Sequence, residues 1–132
     1  MESVVTADTD KRIVIEGYIK SFEEKDVASC VAYFTEDAVI HFGPATFGLG
    51  RFRGTTQIEK WHRERFAAGG RVVKVEEIKV DADKVRVKAV FTSPRLKAVR
   101  LDDFRGNGTF VFEGTQFKEL KLGLERGYRF HI

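Results

Sequence analysis

The apolar residues of this chain keep a helical spacing, lose it, regain it once, and beyond Arg71 recur only at every second position. Ile15, Tyr18, Ile19 and Phe22 stand at i, i+3, i+4 and i+7, the stripe an amphipathic helix buries. Val27, Cys30, Val31 and Phe34 repeat that spacing behind Asp26, whose short carboxylate suits a helix N-cap. A turn at Thr35, Glu36 and Asp37 then leads into a strand over residues 38–42. Gly43, Gly48 and Gly50 mark a loop that carries the bulky Phe47 and Phe52, and such loops fold over a core or a ligand. A third helix follows, with Ile58, Trp61, His62, Arg65 and Phe66 on one arc. Thr56 and Glu59 have the spacing of a capping box at its start, and Gly69 and Gly70 stop it. Two helices, a strand, a helix and then strands alone describe a sheet that curls over helices and leaves a hollow between.

The strand region carries its own punctuation. Val73 and Val75 share one phase whereas Ile78 and Val80 share the other, so a β-bulge is expected near Glu76 and Glu77. Val85, Val87, Ala89 and Phe91 fall on one face of a regular strand, and a further strand is expected over 96–104. Two registers fit what comes next. Residues 105–108 are either a hairpin turn or a bulge in a longer strand that turns at Glu113, Gly114 and Thr115. The second is preferred because Phe110 and Phe112 then lie across a tight turn from Phe117. Leu124, Arg126, Tyr128, Phe130 and Ile132 alternate as a last strand. With no repeat and no linker, residues 1–132 read as one domain, and 1–8, without periodicity, as a flexible tail.

Composition excludes several classes of function. Twelve Phe stand beside one Trp and three Tyr, which suits a core or cavity wall with few polar handles. The formal charge of +3 comes from interspersed signs, so no polybasic block argues for nucleic acid or membrane as partner. Arg51, Phe52 and Arg53 interleave basic and aromatic side chains, and a solvated rim is the preferred reading of them. The lone Cys30 rules out an internal disulfide, and His41, His62 and His131 lack metal-ligand spacing, so no metal is expected. No secretory leader or membrane-length apolar run is visible, and a cytoplasmic protein is the expectation.

The run Tyr33 to Val39, then Gly54 to Trp61, then Phe110 to Gly114, taken with the element order, resembles the nuclear transport factor 2-like superfamily, in particular its SnoaL-like and ketosteroid isomerase-like branches. The resemblance implies an α+β fold. A strongly bent antiparallel or mixed sheet wraps three N-terminal helices into a cone, the cystatin-like roll, whose mouth holds a small apolar molecule. It also implies a homodimer through the sheet. Tyr18 aligns with the isomerase tyrosine that donates to a substrate oxygen. Asp102 is the candidate for the second, protonated acid, although in the preferred register Gly108 comes closer to that position. The isomerase's base carboxylate falls at Phe42, which accepts no proton.

The functional expectation is a small-molecule-binding protein acting, if it catalyses, as a cofactor-independent isomerase, cyclase or dehydratase. Tyr18 and Asp102 would stabilise an oxyanion, His41 or His62 would move the proton, and no cofactor is implied. Phe42, Phe47, Phe52, Trp61 and Arg65 are the candidate substrate contacts. A non-catalytic carrier or sensor, and a dimeric interaction module without ligand, are the alternatives.

Overall fold

The computed structural model describes residues 4–42, 50–69, 71–92 and 104–124. Three helices, α1 (Val4–Glu23), α2 (Val27–Ala32) and α3 (Gly54–Ala67), pack on one face of a curved mixed sheet. Its strands are β1 (Phe34–Phe42), β2 (Arg51–Arg53), β3 (Arg71–Asp81), β4 (Lys84–Thr92), β5 (Phe104–Glu113) and β6 (Gln116–Leu124), in the order β2-β1-β6-β5-β4-β3. Among the described residues every pair is antiparallel except β1 with β6.

The helical stripes bury as their spacing demands. Ile15 and Tyr18 of α1 and Cys30 of α2 are buried, with Ile19, Phe22 and Val31 packed against them. Asp26 caps α2 by accepting from the Ser29 N–H at 3.1 Å, and the Ser29 bonds hold its carboxyl below the usual range. Helix α1 begins at Val4, so residues 4–8 are its first turns and not the expected tail.

Helix α3 starts at Gly54, so the Thr56 and Glu59 pair lies inside its first turns and is not its cap. Arg53 is its N-cap, and the Gln57 side chain accepts from the Arg53 N–H at 2.7 Å. The chain enters through Gly54 at φ 84°, a left-handed backbone that an L side chain resists. Replacing it by alanine, Gly54→Ala, is expected to cost roughly 1–2 kcal/mol, read from urea denaturation. Gly69, at φ 76°, closes the other end, its N–H donating to the Phe66 carbonyl.

The sheet bends where its register slips. The phase change between Val75 and Ile78 is a bulge between Val75 and Glu77, and a second slip lies between Val72 and Lys74. Strand β1 begins at Phe34, not at residue 38. Phe34 pairs with Phe117 and Val39 with Glu119, so residues 35–37 bulge out where a turn was expected. Phe34 fits a helical stripe and a strand pair equally well by spacing, and its Phe117 partner decides. The long hairpin is the register that forms, with Phe112 opposite Phe117 and Phe110 opposite Leu120. Residues 105–108 pair regularly with β4, so the bulge expected there is absent; the β5–β6 slip lies instead between Val111 and Phe112, with Lys118 the extra residue.

Side chains tie the layers together. Arg12 donates to the Ile78 carbonyl at 2.8 Å, and Glu23 accepts from the Val72 N–H at 2.7 Å, fixing α1 over β3. Gln116 donates to the Ala32 and Phe34 carbonyls at 3.2 Å each, holding the hairpin turn beside α2 and β1. The expected strand over 96–104 and the last strand fall almost wholly outside the described residues, as do Phe47, Asp102 and His131.

Candidate functional site

Tyr18 of α1 and His62 of α3 meet at the centre of the core. The Tyr18 hydroxyl lies 2.8 Å from His62 Nε2, and His62 Nδ1 lies 2.8 Å from the Ile58 carbonyl one helical turn back. A carbonyl can only accept, so Nδ1 carries the proton, Nε2 presents a lone pair, and the tyrosine O–H donates to it. His62 is fully buried, and the rings of Tyr18, Phe34 and Trp61 meet it edge-on at 4.9–5.9 Å. Burial lowers the His62 pKa to about 4, against the raising effect of the Ile58 carbonyl, so the imidazole is neutral at pH 7. Burial, with Cys30 as a smaller cause, holds the Tyr18 pKa well above its ordinary value.

Beside this pair lies a cavity of about 70 Å³. Tyr18, Phe22 and Trp61 wall it from the helices, and Ala89, Gly108 and Leu122 are among the sheet residues that close it. Among the described residues the wall is almost wholly carbon and includes no Asp, Glu, Lys or Arg. The volume is about half that of the roughly 150 Å³ apolar cavity that accommodates benzene, so it takes a few carbon atoms. Trp61 is 2% exposed, and its Nε1–H has no hydrogen-bond partner. A buried donor left unpaired costs about 1–3 kcal/mol.

The other candidates stand elsewhere. His41 alternates away from Ile40 and Phe42 onto the outer face of the sheet, where its Nε2 meets Glu119 Oε2 at 3.0 Å. Phe42 lies under the Arg65 guanidinium at 4.5 Å and packs edge-on against Trp61, outside the cavity wall. Phe52 is half-buried against the core on the inner face, whereas Arg51 and Arg53 point outward. Their basic and aromatic side chains therefore do not share a surface. Gly108, the position the long hairpin offered in place of Asp102, does line the cavity but brings no acid to it.

His62 is thus a core residue hydrogen-bonded at both nitrogens. Sequence reasoning selected Tyr18, His62 and Trp61 but not their connection, since 44 residues separate the two members of the pair. Phe22, Leu120 and Leu122 escaped notice as cavity residues because nothing in their spacing separates wall from core. Cys30 is buried, and burial, aided by the Asp26 charge, pushes its thiol up to about 12, so it is inert packing. Among the described residues no three His, Cys, Asp or Glu side chains gather to hold a metal ion, and no helix is long and apolar enough to cross a membrane.

A bent mixed sheet over three helices, with a small cavity between the layers, is the α+β roll of nuclear transport factor 2-like proteins. The SnoaL-like domain family model matches residues 15–120, and the chain belongs to that family. Solved structures agree on the fold. A candidate polyketide cyclase from Sinorhizobium meliloti is 19% identical with a TM-score of 0.70, over 83% of this chain and 92% of that one. A cystatin-like-fold protein of unknown function from Methylobium petroleophilum is 21% identical with a TM-score of 0.74, over 95% and 82%. TerC, co-crystallised with polyporic acid, is 12% identical with a TM-score of 0.73, over 88% and 92%. No curated protein matches the chain in sequence.

Proposed function

We propose that this protein binds a small apolar molecule, or the apolar end of a larger one, in the cavity beside Tyr18. The carrying observation is that cavity: carbon-walled, free of charged residues, and bordered by Trp61, whose indole N–H lacks a partner. A ligand with a carbonyl or hydroxyl oxygen would supply the missing acceptor while its carbon body fills the hollow. The polyketide cyclase description of one structural neighbour and the polyporic acid of another are consistent with this class of ligand.

The test is a plug. Ala89 is buried on the cavity wall, so Ala89→Leu places three further carbons in the space a ligand needs. Small cyclic ketones and alcohols should raise the melting temperature of the unmodified chain, and Ala89→Leu should weaken their binding at least about tenfold, read by calorimetry. Equal binding by the two proteins would move the ligand elsewhere.

A second reading, cofactor-independent isomerisation, cyclisation or dehydration, rests on the Tyr18–His62 pair. Among the described residues Tyr18 is the one lining residue that carries a hydroxyl, and that hydroxyl donates to the His62 imidazole. In that reading His62 sets the direction of the Tyr18 O–H, and the hydroxyl turns toward a substrate oxygen as charge develops there. Tyr18→Phe should then abolish turnover while leaving ligand uptake in place. Turnover that survives the substitution would leave a carrier or sensor.

A further inference from the structure

Register decides what the sheet presents on the side away from the helices. Paired residues share a face, so Lys79, Arg86, Thr109, Lys121, His41 and Arg51 form one unbroken row across β3, β4, β5, β6, β1 and β2. Four of the six are permanent cations, and all four are exposed. Lys79 stands directly opposite Arg86, a like-charge pairing that works against the sheet. Along β4, Lys84, Arg86 and Lys88 alternate outward while Val85, Val87 and Ala89 are buried.

The carboxylates on this face are Glu76, Glu77, Asp81, Glu113 and Glu119. Asp81 and Glu77 stand opposite Lys84 and Lys88 in register, yet neither pair closes to ion-pair distance. Glu119 is already taken by His41 at 3.0 Å and Lys121 at 3.9 Å, and Glu76 by Arg105 at 2.9 Å. A face whose cations are left with so little internal compensation attracts an anionic partner.

We propose that this outer face docks an extended acidic segment of a partner protein, with Asp or Glu at alternate positions. An extended chain repeats its side chains every ~6.6–6.8 Å, which is also the repeat of Lys84, Arg86 and Lys88 along β4. A single-stranded nucleic acid would need stacking rings, and these rows hold no Phe, Tyr or Trp. A second copy of the chain laid on this face would bring like rows of charge together.

The experiment uses the whole chain and two labelled peptides of identical composition, one alternating Glu and Ser, the other with its Glu in a single block. Fluorescence anisotropy should give tighter binding of the alternating peptide, weakened by salt. The combined Lys84→Gln, Arg86→Gln and Lys88→Gln variant should lose at least about tenfold in affinity with its melting temperature unchanged. Arg86→Gln alone should weaken binding and leave stability equal or higher, since it relieves the Lys79 clash, an outcome a purely structural role for Arg86 would not give. Equal binding of the two peptides overturns the proposal, as does undiminished binding by the triple variant. Tighter binding of a single-stranded oligonucleotide or of anionic phosphatidylserine vesicles also overturns it, and so does a homodimer that the triple variant dissociates.

Discussion

Acidification from pH 7 toward pH 4 should strip about 3 kcal/mol from the folded state through His62 alone. The folded imidazole takes a proton only near pH 4, whereas the unfolded one does so near its ordinary value of 6.5. Between those values the unfolded chain binds more protons, so acid favours unfolding. The stabilisation is complete above pH 6.5 and is lost as pH falls through the folded pKa. The cause is physical: a charge at Nε2 would sit without water among aromatic rings, facing a tyrosine hydroxyl that can no longer donate to it. Urea denaturation across pH 4–7, compared with His62→Gln, isolates the contribution. Parallel pH profiles for the two proteins would place the imidazole in water.

Truncating Phe117 should be still more damaging. Its side chain is fully buried and meets Tyr18, Tyr33, Phe34, Phe110 and Phe112 at ring-centroid distances of 4.8–6.0 Å. Its backbone N–H donates to the Tyr33 carbonyl at 2.7 Å where β6 begins to run beside β1. Phe117→Ala leaves a void where both helical and sheet rings converge, and is expected to cost ~3–5 kcal/mol. In a domain of this size that lowers the melting temperature by roughly 10–20 °C. Ile13→Ala, at a position 59% exposed on α1, should change stability by less than about 0.5 kcal/mol and serves as the comparison. Similar melting temperatures for the two variants would mean that the aromatic cluster is not the centre of the fold.

What the sequence disclosed, and what it withheld, follows the range of each interaction. Ile15, Tyr18 and Phe22 announce their helix because a stripe is a local property, and Val85, Val87 and Ala89 announce their strand for the same reason. Even the bulge near Glu76 is legible, since a slipped phase leaves a mark in the order of residues. The start of β1 was not legible, because Phe34 suits two periods and only Phe117, far along the chain, chooses between them. The slip at Lys118 likewise leaves no local trace. In the site, Tyr18, His62 and Trp61 stood out as residue types, but the direction of the Tyr18 proton depends on the Ile58 carbonyl, and spacing says nothing of that. His41 shows the opposite failure: alternation placed it away from Phe42, and the structure leaves it on the outer face with Glu119.

The placement of Trp61 gives the protein its own optical probe. It is the one tryptophan of the chain, packed edge-on against His62 at 4.9 Å and against Phe42 at 5.5 Å, and it borders the cavity. Its emission should be blue-shifted in the native state, quenched when the neighbouring imidazole becomes cationic, and altered again when an oxygen-bearing guest reaches the indole. One fluorophore thus separates protonation from occupancy by the sign and wavelength of its response, with no label attached.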